Sequence, residues 1–298
     1  MKHETIVHKS RFDATILHGD FYRPEGADTM VVIFHGMAEH RLRYQEFIDA
    51  CIKEGYAVLS LDHRGHFQSG DVLGFFADKE GWRKNLEDLH DIIRNVNQPY
   101  GYAVNLFGHS MGSLFARAYL KYYDTTLNKV MLSGSPSYNS ASKLGIALCS
   151  VLVTLKGSQY VSSFVEHLAT GSFNKAVKNP KTKFDWISKN EVNVRSYIES
   201  DFCGFPFTVS GYRDLFRVMN EAYSEWTTTS LTLPIRFFSG SEDPCLGGSD
   251  KMTFAVQALK KNGYQCVDAI LYPGLRHEIL METQHKMVIQ DLIDFMKR

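Results

Sequence analysis

A chain of 298 residues, 44% of them hydrophobic, is long enough to bury a large core as one sizeable domain or one domain carrying an insertion. Its 33 Lys and Arg residues balance 33 Asp and Glu, so no net charge draws it to nucleic acid or to an anionic surface. Cys51, Cys149, Cys203, Cys245 and Cys266 are odd in number and lack metal-type spacing, which fits buried thiols in a reducing compartment better than a disulfide framework. The polar start, Met1-Lys2-His3-Glu4-Thr5, carries no signal-peptide pattern, and the expectation is a cytoplasmic protein. To about Pro24 the chain reads as a two-stranded hairpin. Met30 to Phe34 then predicts a strand, Leu42 to Lys53 a helix, and Tyr56 to Leu61 a strand. Trp82, Leu86, Leu89, Ile93 and Val96 mark the next helix. The apolar run Tyr102 to Phe107 leads into Ser110, followed by a helix with Met111, Leu114, Phe115, Ala118, Tyr119 and Tyr122 on its apolar face, then a strand at Val130 to Leu132.

The alternation stops after Ser133-Gly134-Ser135-Pro136 and resumes at Pro234 to Phe238, with a helix from Asp250, a strand near Val267 to Tyr272 and a last helix from about Thr283. Between lie about a hundred helical, aromatic-rich residues, too many for a plain loop. The pattern predicts an α/β protein. Residues 1–134 and 234–298 form a mostly parallel sheet with helices on both faces, and 135–233 form an inserted helical cap. In such sheets the ligand crevice lies at the carboxyl ends of the strands, where a cap leaving after 134 would roof it.

Gly108-His109-Ser110-Met111-Gly112 sits where a strand turns into a helix. A serine on so sharp a turn presents its hydroxyl above the sheet, and the flanking glycines let strand and helix approach. A serine hydroxyl needs a base to take its proton and a carboxylate to orient that base. After Ser110 the only histidines are His167, inside the helical stretch, His285, in the last helix, and His277, in the loop after the last strand. His277 is therefore the expected base. Ser239-Gly240-Ser241-Glu242-Asp243-Pro244, the loop after the preceding strand, supplies the acid. Asp243 is preferred and Glu242 is its rival. Oxyanion donors are expected from the backbone N–H of Met111 and, in His35-Gly36-Met37-Ala38-Glu39-His40, from that of Met37. His35 reads as a brace for this loop. No zinc-like cluster is apparent, so neither metal nor cofactor is expected.

Taken with Asp62-His63-Arg64-Gly65-His66 and Pro273-Gly274-Leu275-Arg276-His277-Glu278, these segments resemble the monoacylglycerol lipase and lysophospholipase branch of the α/β-hydrolases, often labelled serine aminopeptidase-like. The resemblance runs over nearly the whole chain. It implies Ser110, Asp243 and His277 as catalytic residues, Met37 and Met111 amides as the oxyanion hole, and a helical cap over an acyl pocket. Two segments depart from that branch: Phe67 stands where Gly is usual, and Cys245-Leu246 where Val-Gly is usual.

The function so implied is a serine carboxylester hydrolase acting through an acyl-enzyme on single-chain lipid esters. Aminopeptidase or amidase, acyltransferase and a non-catalytic ligand receptor stand as alternatives. An aminopeptidase would need a cap carboxylate for the α-amino group, from Glu166, Asp185, Glu191, Glu199, Asp201 or Glu221. Leu144, Leu148, Val151, Leu152 and Leu155 are read as one helical face, which either docks transiently on a lipid surface at the membrane periphery or packs on the core. The stretch is too short to span a bilayer. Asp201 to Phe207 offers aromatic surface for a pocket or a cap core, and Lys178, Lys181, Lys183 and Lys189 read as a solvated basic face. Oligomeric state is left open.

Overall fold

The computed structural model describes all 298 residues. Eight strands form one sheet: β1 (Lys2–Lys9), β2 (Ile16–Arg23), β3 (Thr29–Phe34), β4 (Ala57–Leu61), β5 (Ala103–His109), β6 (Lys129–Ser133), β7 (Ile235–Gly240) and β8 (Val267–Tyr272). Their spatial order is β1-β2-β4-β3-β5-β6-β7-β8. The β1–β2 and β2–β4 pairings are antiparallel and every other pairing is parallel.

Period-two alternation in the central strands divides the core into two layers. Met30, Val32 and Phe34 of β3 join a cluster with Leu86 and Leu89 of α2 (Gly81–Asn97) and Leu114 and Phe115 of α3 (Met111–Tyr123). Val31 and Ile33 face the other way, against Phe47 and Ile48 of α1 (Gln45–Lys53) and Val288 and Leu292 of the C-terminal helix (His285–Lys297). Both faces are covered, which is why these strands read as unbroken apolar runs.

Four helices occupy the hundred residues between β6 and β7: α4 (Ser142–Lys156), α5 (Ser163–Thr170), α6 (Glu191–Glu199) and α7 (Val209–Ala222). Ser162, Asn190 and Thr208 cap the last three with side-chain oxygens, each satisfying an otherwise unpaired amide. The two remaining helices, α8 (Ser249–Lys261) and α9 (His285–Lys297), complete the sheet domain. The segment docks through α7, whose Tyr212 and Val218 enter the larger core cluster. The face expected of α4 is not a single contact. Leu148 and Leu152 pack inward, whereas Leu144 and Leu155 are 75% and 71% exposed, because the apolar stripe is wider than the ridge that meets α7. No helix is long and apolar enough to cross a membrane.

Candidate active site

β5 ends at His109 and α3 begins at Met111, leaving Ser110 as the hinge with φ 50° and ψ −118°. A side chain in this conformation costs on the order of 1–3 kcal/mol and persists only where its surroundings dictate it. Here the Ser110 amide donates to Ser133 O of β6 at 2.9 Å. A Cβ at Gly112 would collide with the Phe34 carbonyl, and one at Gly108 with the Gly112 carbonyl. Glycine at both positions is therefore what lets α3 lie directly over β3 and β5.

His277 and Asp243 arrive from the loops after β8 and β7. His277 Nε2 lies 2.8 Å from Ser110 Oγ, and Nδ1 lies 2.9 Å from Asp243 Oδ2. Asp243 Oδ1 accepts the Cys245 amide at 2.8 Å, which fixes the carboxylate plane. His277 and Asp243 are buried, and burial opposes an imidazolium. The adjacent Asp243 carboxylate outweighs it and holds the His277 ring well above its ordinary basicity. His109, 4.8 Å from His277 between ring centroids, is pushed down to about 3 by burial and then by His277, so its own ring is neutral at neutral pH. The rival Glu242 points away, half-exposed and paired with Lys189 at 2.8 Å. His167 is exposed at the rim of the cavity described below, and His285 lies at the start of α9.

The loop after β3 is clamped from three sides. His35 Nδ1–H donates to Gly36 O at 2.8 Å, while its Nε2 accepts the His63 amide at 3.1 Å, so it braces the loop. His66 Nε2 accepts the Ala38 amide at 3.2 Å. Burial pushes His66 down to about 4, which keeps that acceptor available. Ala38, at φ 51°, turns its carbonyl toward the segment between β6 and β7, where Gly204 N–H and Tyr197 Oη–H both donate to it at 2.9 Å. A Cβ on Gly36 would press on Glu39, His109 and Ser110, so only glycine lets this loop lie against the serine. Met37 and Met111 both border the cavity above Ser110.

A buried charge cluster ties this loop to His277. Arg43 donates to Glu39 at 2.6 Å, to both oxygens of Glu278 at 2.6 and 2.9 Å, and to Asn193 of α6 at 2.9 Å. Glu39 in turn accepts the Gly36 amide at 2.5 Å and the Tyr44 hydroxyl at 2.8 Å. Burial raises the Glu278 carboxyl, but the Arg43 charge prevails and its pKa is lowered. None of these roles was assigned from sequence. The available signal was Glu39 and Arg43 four residues apart beside the Gly36 turn. The two family departures also find their places. Phe67 adopts φ 46°, where glycine is easier, and is held there by stacking on His40 at 4.8 Å and by edge contact with Phe202 at 4.8 Å. Cys245 is buried against the Asp243–His277 pair.

Above Ser110 opens a cavity of about 490 Å³ bordered by Leu114, Phe184, Trp186, Phe205, Leu215 and Phe216. Trp186 also lies 5.0 Å from the His277 ring, a neighbour that sequence reasoning did not find. From the stretch Asp201 to Phe207, Gly204 and Phe205 border the cavity, Phe207 is buried beneath it against His66, and Phe202 is outside. Of the six candidate cap carboxylates, Glu166 lines the cavity and the other five do not. Lys178, Lys181, Lys183 and Lys189 are exposed. Lys181 pairs with Glu191, and Lys183 lies over the Phe184 ring at the cavity edge. All five cysteines are free thiols, with Cys51, Cys149 and Cys245 buried.

Ser110, His277 and Asp243 thus stand hydrogen-bonded in line beneath this cavity. Residues 25–284 match the family described as "Serine aminopeptidase, S33". The chain belongs to this family. It is 24% identical over 271 residues to a monoacylglycerol lipase of Mycolicibacterium smegmatis, covering 88% of this chain and 86% of that protein. Over 118 residues, 39% of this chain and 37% of the other, it is 35% identical to a Haemophilus influenzae protein named "Probable lysophospholipase L2". A thermostable carboxyl esterase from Bacillus coagulans, solved with glycerol, superposes with a TM-score of 0.90 at 23% identity. That match covers all of this chain and 98% of the esterase. The fold is that of the α/β-hydrolases, as its serine-bearing turn between β5 and α3 implied.

Proposed function

We propose that this chain is a serine carboxylester hydrolase that acts through an acyl-enzyme on single-chain lipid esters such as monoacylglycerols or lysophospholipids. The observation that carries the reading is the continuous hydrogen-bonded line from Ser110 Oγ through His277 to Asp243. His277 takes the Ser110 proton as Oγ attacks the ester carbonyl, and Asp243 steadies the imidazolium that forms. The Met37 and Met111 amides receive the oxyanion. The imidazolium then protonates the departing alcohol. In the second half His277 deprotonates water, which releases the fatty acid and restores the serine.

Residues 135–233 act as the cap, and the apolar cavity beneath it takes the acyl chain. Leu144, Val151 and Leu155 of α4 and Phe164 and Leu168 of α5 are exposed, and Leu168 also borders the cavity. An apolar surface at the mouth of an acyl pocket suits transient contact with a lipid aggregate. One observation favours a second reading, the aminopeptidase. Glu166 in the cavity is a carboxylate that an α-amino group could meet.

A panel of glycerol and lysophospholipid esters of increasing chain length, run beside aminoacyl amides, tests the proposal. Each methylene that the cavity buries contributes about 0.8 kcal/mol, roughly fourfold in kcat/KM. The expected profile rises beyond butyrate until the cavity is filled. A profile that falls steadily beyond butyrate, or a preference for aminoacyl amides, overturns it.

A further inference from the structure

Cys245 stands two residues after Asp243, at one of the positions where this chain departs from its family's usual Val. The Cys245 amide folds back onto Asp243 Oδ1 at 2.8 Å, and this turn sets the thiol beside the acid and the base. The sulfur, a carboxylate oxygen of Asp243 and a ring nitrogen of His277 all lie within 4.8 Å of one another, and all three residues are buried. Cys245 and His277 both border the cavity, which gives the cluster a route from solvent.

One thiol, one imidazole and one carboxylate make a donor set of sulfur, nitrogen and oxygen. Magnesium and calcium seek oxygen ligands, whereas thiolate with imidazole selects zinc and its chemical relatives. Around a tetrahedral ion with bonds of about 2.0–2.3 Å, ligand atoms stand roughly 3.3–3.8 Å apart. The Asp243–His277 contact, now 2.9 Å, opens slightly to reach that spacing. The fourth position is left for water.

We propose that Asp243, Cys245 and His277 form a binding site for a thiophilic divalent cation of the zinc type, whose occupancy switches the hydrolase off. The inhibitory half of this inference rests on the functional reading above; the binding half does not. On binding, the Cys245 thiol loses its proton to solvent and the sulfur joins the ion. The Nδ1 proton of His277, which points to Asp243, leaves to solvent, Nε2 takes up a proton in its place, and the ion binds the Nδ1 lone pair so freed. A neutral imidazole bound through Nδ1 carries its one proton on Nε2. In that tautomer Nε2 cannot accept the Ser110 proton, and no electron transfer is involved.

The experiment uses the full chain stripped with a chelator, with Co2+ as the spectroscopic probe and Zn2+ as the inhibitor of hydrolysis of a soluble short-chain ester. One cobalt per chain with a thiolate-to-metal charge-transfer band is expected, together with zinc inhibition that EDTA reverses. Cys245→Val should lack the band, and its own metal-free ester hydrolysis is the reference for its zinc titration. The variant should also need about tenfold or more zinc for half-inhibition. Cys245→Ser, a smaller change with a poor ligand, serves if valine disturbs the fold. Equal zinc sensitivity of wild type and both variants, or no charge-transfer band, overturns the site. If metal-free protein hydrolyses no ester yet shows the Cys245-dependent band, the site stands and the functional reading fails. Normal hydrolysis untouched by zinc, with no band, removes the site and leaves the hydrolase standing.

Discussion

Replacing Arg43 by methionine would leave Glu39 and Glu278 facing each other with only 3% and 6% of their side chains accessible to water. Arg43 now meets each of them at 2.6 Å. Methionine fills similar volume but supplies neither charge nor donors, so two buried carboxylates lose their cation together. Breaking a buried pair by removing one partner costs about 3–5 kcal/mol. At roughly 2–4 °C per kcal/mol for a chain of this size, the melting temperature should fall by about 10 °C. Activity should fall as well, since Glu39 holds the Gly36 amide that leads into Met37. Losing one oxyanion donor outright costs about 10²–10³ in kcat, so a loosened one should cost about tenfold to a hundredfold, with KM little changed. Adding Glu278→Gln to Arg43→Met removes one of the stranded charges and should recover part of the lost melting temperature. Scanning calorimetry and steady-state hydrolysis of a soluble ester measure both quantities. A variant that melts and turns over like wild type, or a double variant that recovers nothing, refutes this account of the cluster.

Other expectations are more local. Asp214 of α7 is buried over the start of α2, and burial pushes its carboxyl up to about 7 against the pull of Arg213, the Trp82 amide and Arg217. The folded state therefore holds this proton more tightly than the unfolded chain. Its contribution to stability falls as pH rises from about 4 to about 7. Urea unfolding should show Asp214→Asn gaining on wild type across that interval, and a pH-independent difference contradicts the assignment. Glutamate at Leu144 and Leu155, both largely exposed, should leave stability and soluble-ester hydrolysis within error while lowering vesicle binding and turnover of vesicle-borne ester. Equal vesicle binding by the variant removes the docking proposal.

How much of this could be read from the chain depends on whether the cause is local. The strand into Ser110, the glycines around it and the apolar face of α3 are neighbours in sequence, so the turn that carries the hydroxyl was legible. The order of Ser110, Asp243 and His277 along successive carboxyl-edge loops was legible too, because a parallel sheet delivers its loops to one edge. The cluster around Arg43 was not: its partners Asn193 and Glu278 lie 150 and 235 residues away, and a charge pattern does not announce burial. The division of α4 into an inward and an outward apolar side depends on the angle at which it meets α7, which periodicity does not contain. Phe67 holds a left-handed backbone through contacts with His40 and Phe202, both from other loops of the chain, where propensity alone would favour glycine.

The claim on which the proposed function turns is that Ser110 is the nucleophile, activated through His277. Treatment with a fluorophosphonate followed by peptide mapping tests it most directly. One adduct per chain is expected, on the peptide that carries Ser110. That adduct should vanish together with ester turnover in Ser110→Ala and form far more slowly in His277→Gln. An adduct on a different residue, or a Ser110→Ala protein that hydrolyses ester at the wild-type rate, would contradict it.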